Sequence, residues 1–161
     1  MQNKILRLLE QDCTLTPAQI AVMLSIEEAD VTSIIDDCKQ RGIILGYQAK
    51  IDWDKTESET VTALIDVSVA PQRETGFDRV AERIFQYDEV ESLYLVSGGH
   101  DFSIVINGRT LKEVALFVAE KLSSLEAVTA TKTHFLLRRY KENGQIFSHP
   151  GENGQERIGV L

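Results

Sequence analysis

Three things are scarce in this chain of 161 residues: cysteine, uncompensated positive charge, and long apolar runs. The two cysteines, Cys13 and Cys38, are too few for a disulfide scaffold, and they lack the C-x-x-C or histidine spacing of a zinc site. Both read as reduced core thiols, and no metal is called for. No apolar stretch reaches the roughly 18 residues of a membrane span, and no N-terminal apolar run precedes a cleavage site. The expectation is therefore a cytoplasmic protein with no membrane partner. A formal net charge of −8 excludes a surface built throughout to hold nucleic acid, because phosphate binding draws on clustered Lys and Arg; a local basic patch stays open. Also missing are a nucleophile–base pair, a phosphate-cradling P-loop and a metal-ligand cluster, so neither catalysis nor a cofactor is expected. The enzyme alternative is acyl-phosphate hydrolysis by Asn107 and Arg109, which would need a phosphate loop that the sequence does not supply.

What is present is an ordinary globular composition, 43% apolar, enough to bury one core or two small ones. The most informative stretch is Leu93 to Ile106, in which two apolar, β-branched runs meet at Gly98-Gly99, followed by Asp101. Such runs read as strands, and paired glycines as a tight connection. A loop without Cβ atoms lets a ligand approach the backbone N–H groups, and Asp101 sets a negative charge beside them. An amine-plus-carboxylate ligand suits that pairing. A plain turn with a solvated aspartate is the alternative.

Taken in order, residues 1–47 read as three helices and a wing. Ile5, Leu6, Leu8 and Leu9 form an apolar stripe. Thr16-Pro17-Ala18-Gln19 is a capping box with proline at the first helical position, opening a helix to about Leu24. Ser25-Ile26-Glu27-Glu28 offers another box, and Val31, Ile35 and Cys38 repeat at helical spacing up to Gly42. Ile43 to Tyr47 suits a short strand or wing. The layout is that of a winged helix-turn-helix. Residues 48–60 are polar and read as a hinge.

From Val61 the period becomes two: Val61, Ala63, Ile65, Val67 and Val69 share one strand face, and Pro71 ends the run. Phe77, Val80, Ala81, Ile84 and Phe85 fit an amphipathic helix, and Val90–Val96 the next strand. After the Gly-Gly hairpin comes strand 101–106. Thr110-Leu111-Lys112-Glu113 then caps a helix burying Leu111, Val114, Ala115, Val118, Leu122 and Leu125, and Val128–Tyr140 is the last strand. The order β-α-β-β-α-β predicts a ferredoxin-like sandwich over residues 61–140, making the chain α+β. Apolar alternation in Val61–Val69 and Phe135–Leu137 suggests a sheet face that a second subunit covers. Residues 141–161, with Gly144, Pro150, Gly151 and Gly154, read as a flexible tail or an arm ordered by a partner.

These parts together resemble the Lrp/AsnC family of feast/famine transcriptional regulators. Arg41-Gly42-Ile43-Ile44-Leu45-Gly46-Tyr47 looks like the family's Gly-Val-Ile-x-Gly-Tyr segment at the end of the DNA-binding domain. Leu95 to Phe102 looks like its Val-Thr/Ser-Gly-x-x-Asp-Tyr effector loop, and Val128 to Thr133 like its Gly-Val-x-x-Thr-x-Thr strand, with Ala127 where glycine is usual. The resemblance spans roughly residues 3–140. It implies double-stranded DNA as partner, an amino acid as effector, and homodimers that assemble into octamers or larger rings. The implied effector residues are Ser97, Gly98, Gly99, His100, Asp101, Thr131, Thr133 and His134.

In the third helix the sequence departs from the family. Ile34, Asp36 and Asp37 stand where arginine or lysine is usual, and residues 1–50 hold five basic against seven acidic side chains. Carboxylates near phosphates are repelled. Thr32, Ser33, Lys39, Arg41 and the wing residue Lys50 remain to touch DNA. The alternative is a helix-turn-helix that serves as a protein-contact surface, leaving an effector-sensing oligomer with little DNA affinity of its own.

Overall fold

The computed structural model describes residues 1–57, 60–70 and 76–147. Expectations resting on Ser58, Glu59, Pro71 and residues 148–161 fall outside that range. Two compact units divide after Ile51.

The first unit holds α1 (Gln2–Gln11), α2 (Pro17–Leu24) and α3 (Glu28–Gln40). The Thr16 box forms as read: the Gln19 N–H donates to Thr16 Oγ1 and the Thr16 N–H to Gln19 Oε1. The second box does not. Ser25 adopts the left-handed conformation (φ 54°), and its N–H donates to Val22 O while that of Ile26 donates to Ala21 O. Ser25 thus ends α2, and Glu27 precedes α3 without a side-chain cap. Ile5, Leu9, Ile20, Ala21, Val31 and Ile35 form the buried cluster, with Ile44 packed against its edge.

No wing strand forms at residues 43–47. Gly42 turns left-handed (φ 67°), and the N–H groups of Ile43 and Ile44 both donate to Cys38 O, at 2.8 and 3.1 Å. The apolar run is used to close the C-terminus of α3. Those two amides satisfy helix carbonyls and so are unavailable to a ladder.

The second unit contains β1 (Val61–Val69), α4 (Asp78–Ile84), β2 (Val90–Leu95), β3 (Phe102–Gly108), α5 (Leu111–Phe117), β4 (Val128–Phe135) and a small hairpin of β5 (Lys141–Glu142) and β6 (Gln145–Ile146). The main sheet is antiparallel in the order β2-β3-β1-β4, the ferredoxin-like topology. Ala63, Ile65, Val67 and Val69 of β1 and Phe102, Ile104 and Ile106 of β3 pack against Val80 and Ile84 of α4 and Val114 and Phe117 of α5. The Val61–Val69 alternation is therefore covered by the chain's own helices; it is not the free face expected from the sequence. The exposed apolar groups are instead Leu64 and Tyr94 on the strands and Phe135, Leu136 and Leu137 at and beyond the end of β4.

α5 departs from its expected face. Residues Val118–Leu122 continue it as a wider π turn, with the Ser123 N–H donating to Val118 O, and Val118, Leu122 and Leu125 meet the core as expected; before that turn Ala115 is exposed instead of buried. Phe117 is buried, edge-on to Tyr87, while Leu111 is exposed. Lys121, within the π turn, lies over the Tyr87 ring and bonds Glu89, whose carboxyl it holds below its ordinary pKa. In place of the flexible tail expected from residue 141, the β5–β6 hairpin closes around Asn143 and Gly144, both left-handed.

Candidate functional site

Strand register decides what surrounds the Gly-Gly loop. β1 pairs with β3 as far as Val67 opposite Phe102, and its pairing with β4 is irregular between Ser68 and Val69. At that irregularity the Val69 N–H donates to Asp101 Oδ2 at 2.8 Å, while the Asp101 N–H donates to Val67 O at 3.0 Å. The Asp101 side chain thus extends the β1–β3 ladder by one rung, standing in for a backbone carbonyl. On the other flank the Val96 N–H donates to Asp101 O at 2.8 Å. Asp101 is neither a solvated turn residue nor a carboxylate with both oxygens open: it pins the loop to the end of β1.

Ser97, Gly98 and Gly99 stand clear of that anchor. Gly98 has φ +155°, and a Cβ built on either glycine would meet nothing within 4 Å. The loop leaves room for a ligand or another chain to approach its backbone.

His100 turns back onto the sheet face opposite the helices. Its Nε2 lies 2.8 Å from Ser103 Oγ and 3.4 Å from Asp66 Oδ1. His134 Nε2 reaches the other oxygen, Asp66 Oδ2, at 3.1 Å. One half-buried carboxylate in β1 therefore gathers both candidate histidines. Thr131 and Thr133 are not part of this group, because they pair with Val67 and Ile65 on the helix-covered side of β4. Among the predicted effector residues the fold unites His100 with His134 and puts the two threonines on the opposite face. Asp66 went unnoticed in the sequence, although the period of two that puts Ile65 and Val67 inward also puts Asp66 outward.

The N-terminal candidates line the exposed side of α3. Thr32 and Ser33 are exposed, and the Thr32 hydroxyl donates to Glu28 O. Both cations at the end of the helix face its carboxylates: Arg41 bonds Asp37 at 2.9 Å, and Lys39 lies 3.7 Å from Asp36. Lys39 also lies over the Tyr47 ring. Lys50 is exposed in the segment after α3. Asn107, one of the two residues of the enzyme alternative, accepts from Thr62 of β1 and donates to Glu91 of β2, so its amide ties β3 to both neighbouring strands.

The family profile described as the Lrp/AsnC ligand binding domain matches residues 62–146. The HTH-type transcriptional regulator YugG of Bacillus subtilis is 46% identical over 147 residues, covering 91% of this chain and 89% of YugG. Among solved structures, a transcriptional regulator from Neisseria meningitidis in complex with L-methionine superposes with a TM-score of 0.71 at 20% identity, covering 92% of this chain and 94% of the other. The feast or famine regulatory protein of Mycobacterium tuberculosis, complexed with L-methionine, gives 0.71 at 19% identity, covering 89% and 95%.

The anchoring of Asp101 predicts a graded response. Asp101→Ala leaves the Val69 amide without its acceptor, a loss of about 1–3 kcal/mol. Asp101→Asn keeps a neutral acceptor and should lose less. Thermal unfolding of the three proteins tests this, and an unchanged melting temperature in Asp101→Ala would remove the structural role.

Proposed function

The chain belongs to the Lrp/AsnC family of transcriptional regulators, and from that premise we propose that it regulates transcription in response to an amino acid held at the Ser97–Asp101 loop. The observation that carries this reading is the loop itself, in which open glycine backbone is fastened beside a carboxylate by three hydrogen bonds to fixed strands. An amino acid brings a carboxylate for backbone N–H groups and an ammonium for the remaining Asp101 oxygen. Each charge-assisted bond contributes on the order of 1.5–3 kcal/mol. The methionine complexes of the two structural neighbours support an amino acid as the class of effector. His100 and His134 border the loop through Asp66, while Thr131 and Thr133 lie on the other face of β4. A regulator of this kind works in the cytoplasm, where its DNA is.

Assembly belongs to the same proposal. Leu64, Tyr94 and the Phe135–Leu137 segment leave apolar surface uncovered, which a second copy would bury in a homodimer, with dimers building octamers or larger rings. Light scattering at micromolar concentration should give a mass at least twice 18.1 kDa. A stable monomer would contradict it.

A second reading is favoured by α3. With Lys39 and Arg41 engaged by Asp36 and Asp37, the helix offers phosphates little free positive charge, so the protein would act through a protein partner or bind DNA weakly. The double variant Asp36→Lys with Asp37→Arg should raise affinity for random duplex and steepen its salt dependence by about one unit for each further phosphate neutralised. Unchanged affinity would mean that α3 does not lie against the duplex.

The effector reading is tested at Gly99, where the backbone is not left-handed and a side chain meets nothing within the chain. Gly99→Val should leave the melting temperature unchanged and weaken amino-acid binding at least roughly tenfold, which is about 1.4 kcal/mol. Calorimetry across the twenty amino acids reads it. Wild-type affinity in this variant would take the loop out of the site.

A further inference from the structure

On the helix side of the second unit, α4 and the turn before β4 enclose a cleft of about 120 Å³, lined by Arg79, Arg83, Val80, Leu125, Glu126 and Ala127. Val80 and Ile84 anchor α4 in the core. Arg79 and Arg83 project one helical turn apart on its exposed side, next to each other. Two like charges at this spacing disfavour a helix by a few tenths of a kcal/mol, and Arg79 stands in the first turn, where the helix dipole also opposes a cation. Arg83, in the last turn, suits the helix dipole, whereas Arg79 does not. Several cations elsewhere in the chain are paired: Arg41 with Asp37, Lys121 with Glu89 and Arg139 with Glu142. Among the described residues, neither Arg79 nor Arg83 has a carboxylate within 4 Å, and Glu126 across the cleft does not reach them.

We propose that this cleft is a second small-molecule site, in which the Arg79 and Arg83 guanidinium groups hold a small oxyanion, a phosphate or carboxylate group, separate from the Ser97–Asp101 loop. Guanidinium forks match the geometry of such oxygens, and two at i,i+4 spacing lining one cleft are placed to share a single anion. The cleft is open to solvent on one side, and a phosphate or a short carboxylate fits within it. Leu125 and Ala127 supply a short apolar wall, and Glu126 at the rim penalises a second negative charge on the ligand while accepting a donor from it.

Calorimetry on the full chain in low-salt chloride buffer tests this, with inorganic phosphate in one arm, acetate in a second and neutral acetamide in a third. Saturable binding of either anion, one per chain, without acetamide binding is expected. Phosphate alone would identify a phosphate monoester ligand, and acetate alone a carboxylate metabolite. The Arg79→Gln, Arg83→Gln double variant should lose at least roughly tenfold in affinity, and Glu126→Gln should gain several-fold because one repelling carboxylate is gone. Should the double variant fold poorly, Glu126→Gln and single Arg83→Gln give the same contrast. Gly99→Val leaves anion binding intact, which separates failure here from failure of the effector loop. Absence of saturable binding below roughly 10 mM anion, equal binding of acetamide, or unchanged affinity in the arginine variants would each overturn the site.

Discussion

The alternation of β1 governs the second unit. As the inner neighbour of both β3 and β4, it is paired along both edges, as β3 is, and its inward face is committed to the core. Its inward residues Ala63, Ile65 and Val67 are fully buried, and a one-residue slip would place Asp66 and Ser68 in an apolar core. That penalty fixes the register. Once the register is set, Asp66 lies outward, in reach of both His100 and His134, and the amide of Val69 lies where Asp101 can take it. The geometry of the loop is thus a consequence of core packing one layer below.

Asp101 shows how one residue can hold a structural and a ligand-facing position together. Its Oδ2 is committed to Val69, an interaction between the loop and a strand 32 positions away. Glycine on the loop's exposed side gives backbone access, and the anchored carboxylate keeps that backbone from wandering. A mobile loop would lose ordering entropy on binding, whereas a pinned one loses less. The same fixation ties anything bound at the loop to the end of β1, and through it to the sheet.

The first unit carries a different balance. Its helices are laid out as a helix-turn-helix, held by the Thr16 box, the left-handed Ser25 and the closed end of α3. The charges on α3 are arranged as internal pairs at i,i+3 and i,i+4. Exposed pairs of this kind add little stability, so their consequence is electrostatic: they lower the positive field that would steer a duplex. The arginines of α4 invert the pattern, being close together and without carboxylate partners among the described residues.

Local chemistry made much of this legible. The capping box at Thr16, the period of two in β1, the helical stripe of α4 and the Gly98-Gly99 connection follow from neighbours within about eight residues, and the β-α-β-β-α-β order was readable from them. Readings that failed were those where a second local use competed. Ser25 could cap either helix, and the backbone closed α2 with it; Ile43 and Ile44 had strand propensity, but their amides met the open carbonyl of Cys38 first. The α5 stripe was drawn from Leu111, which stands at the first helical position and faces solvent, whereas Phe117 takes the buried place against Tyr87. What only the tertiary structure decided is which residues distant in sequence share a face. Asp66 meets His134 across 68 positions, and Arg79 and Arg83 share a cleft with Glu126, because strand register and helix placement bring them together. A sequence encodes faces by its periods, whereas the pairing of those faces is set by the burial energy of the whole core.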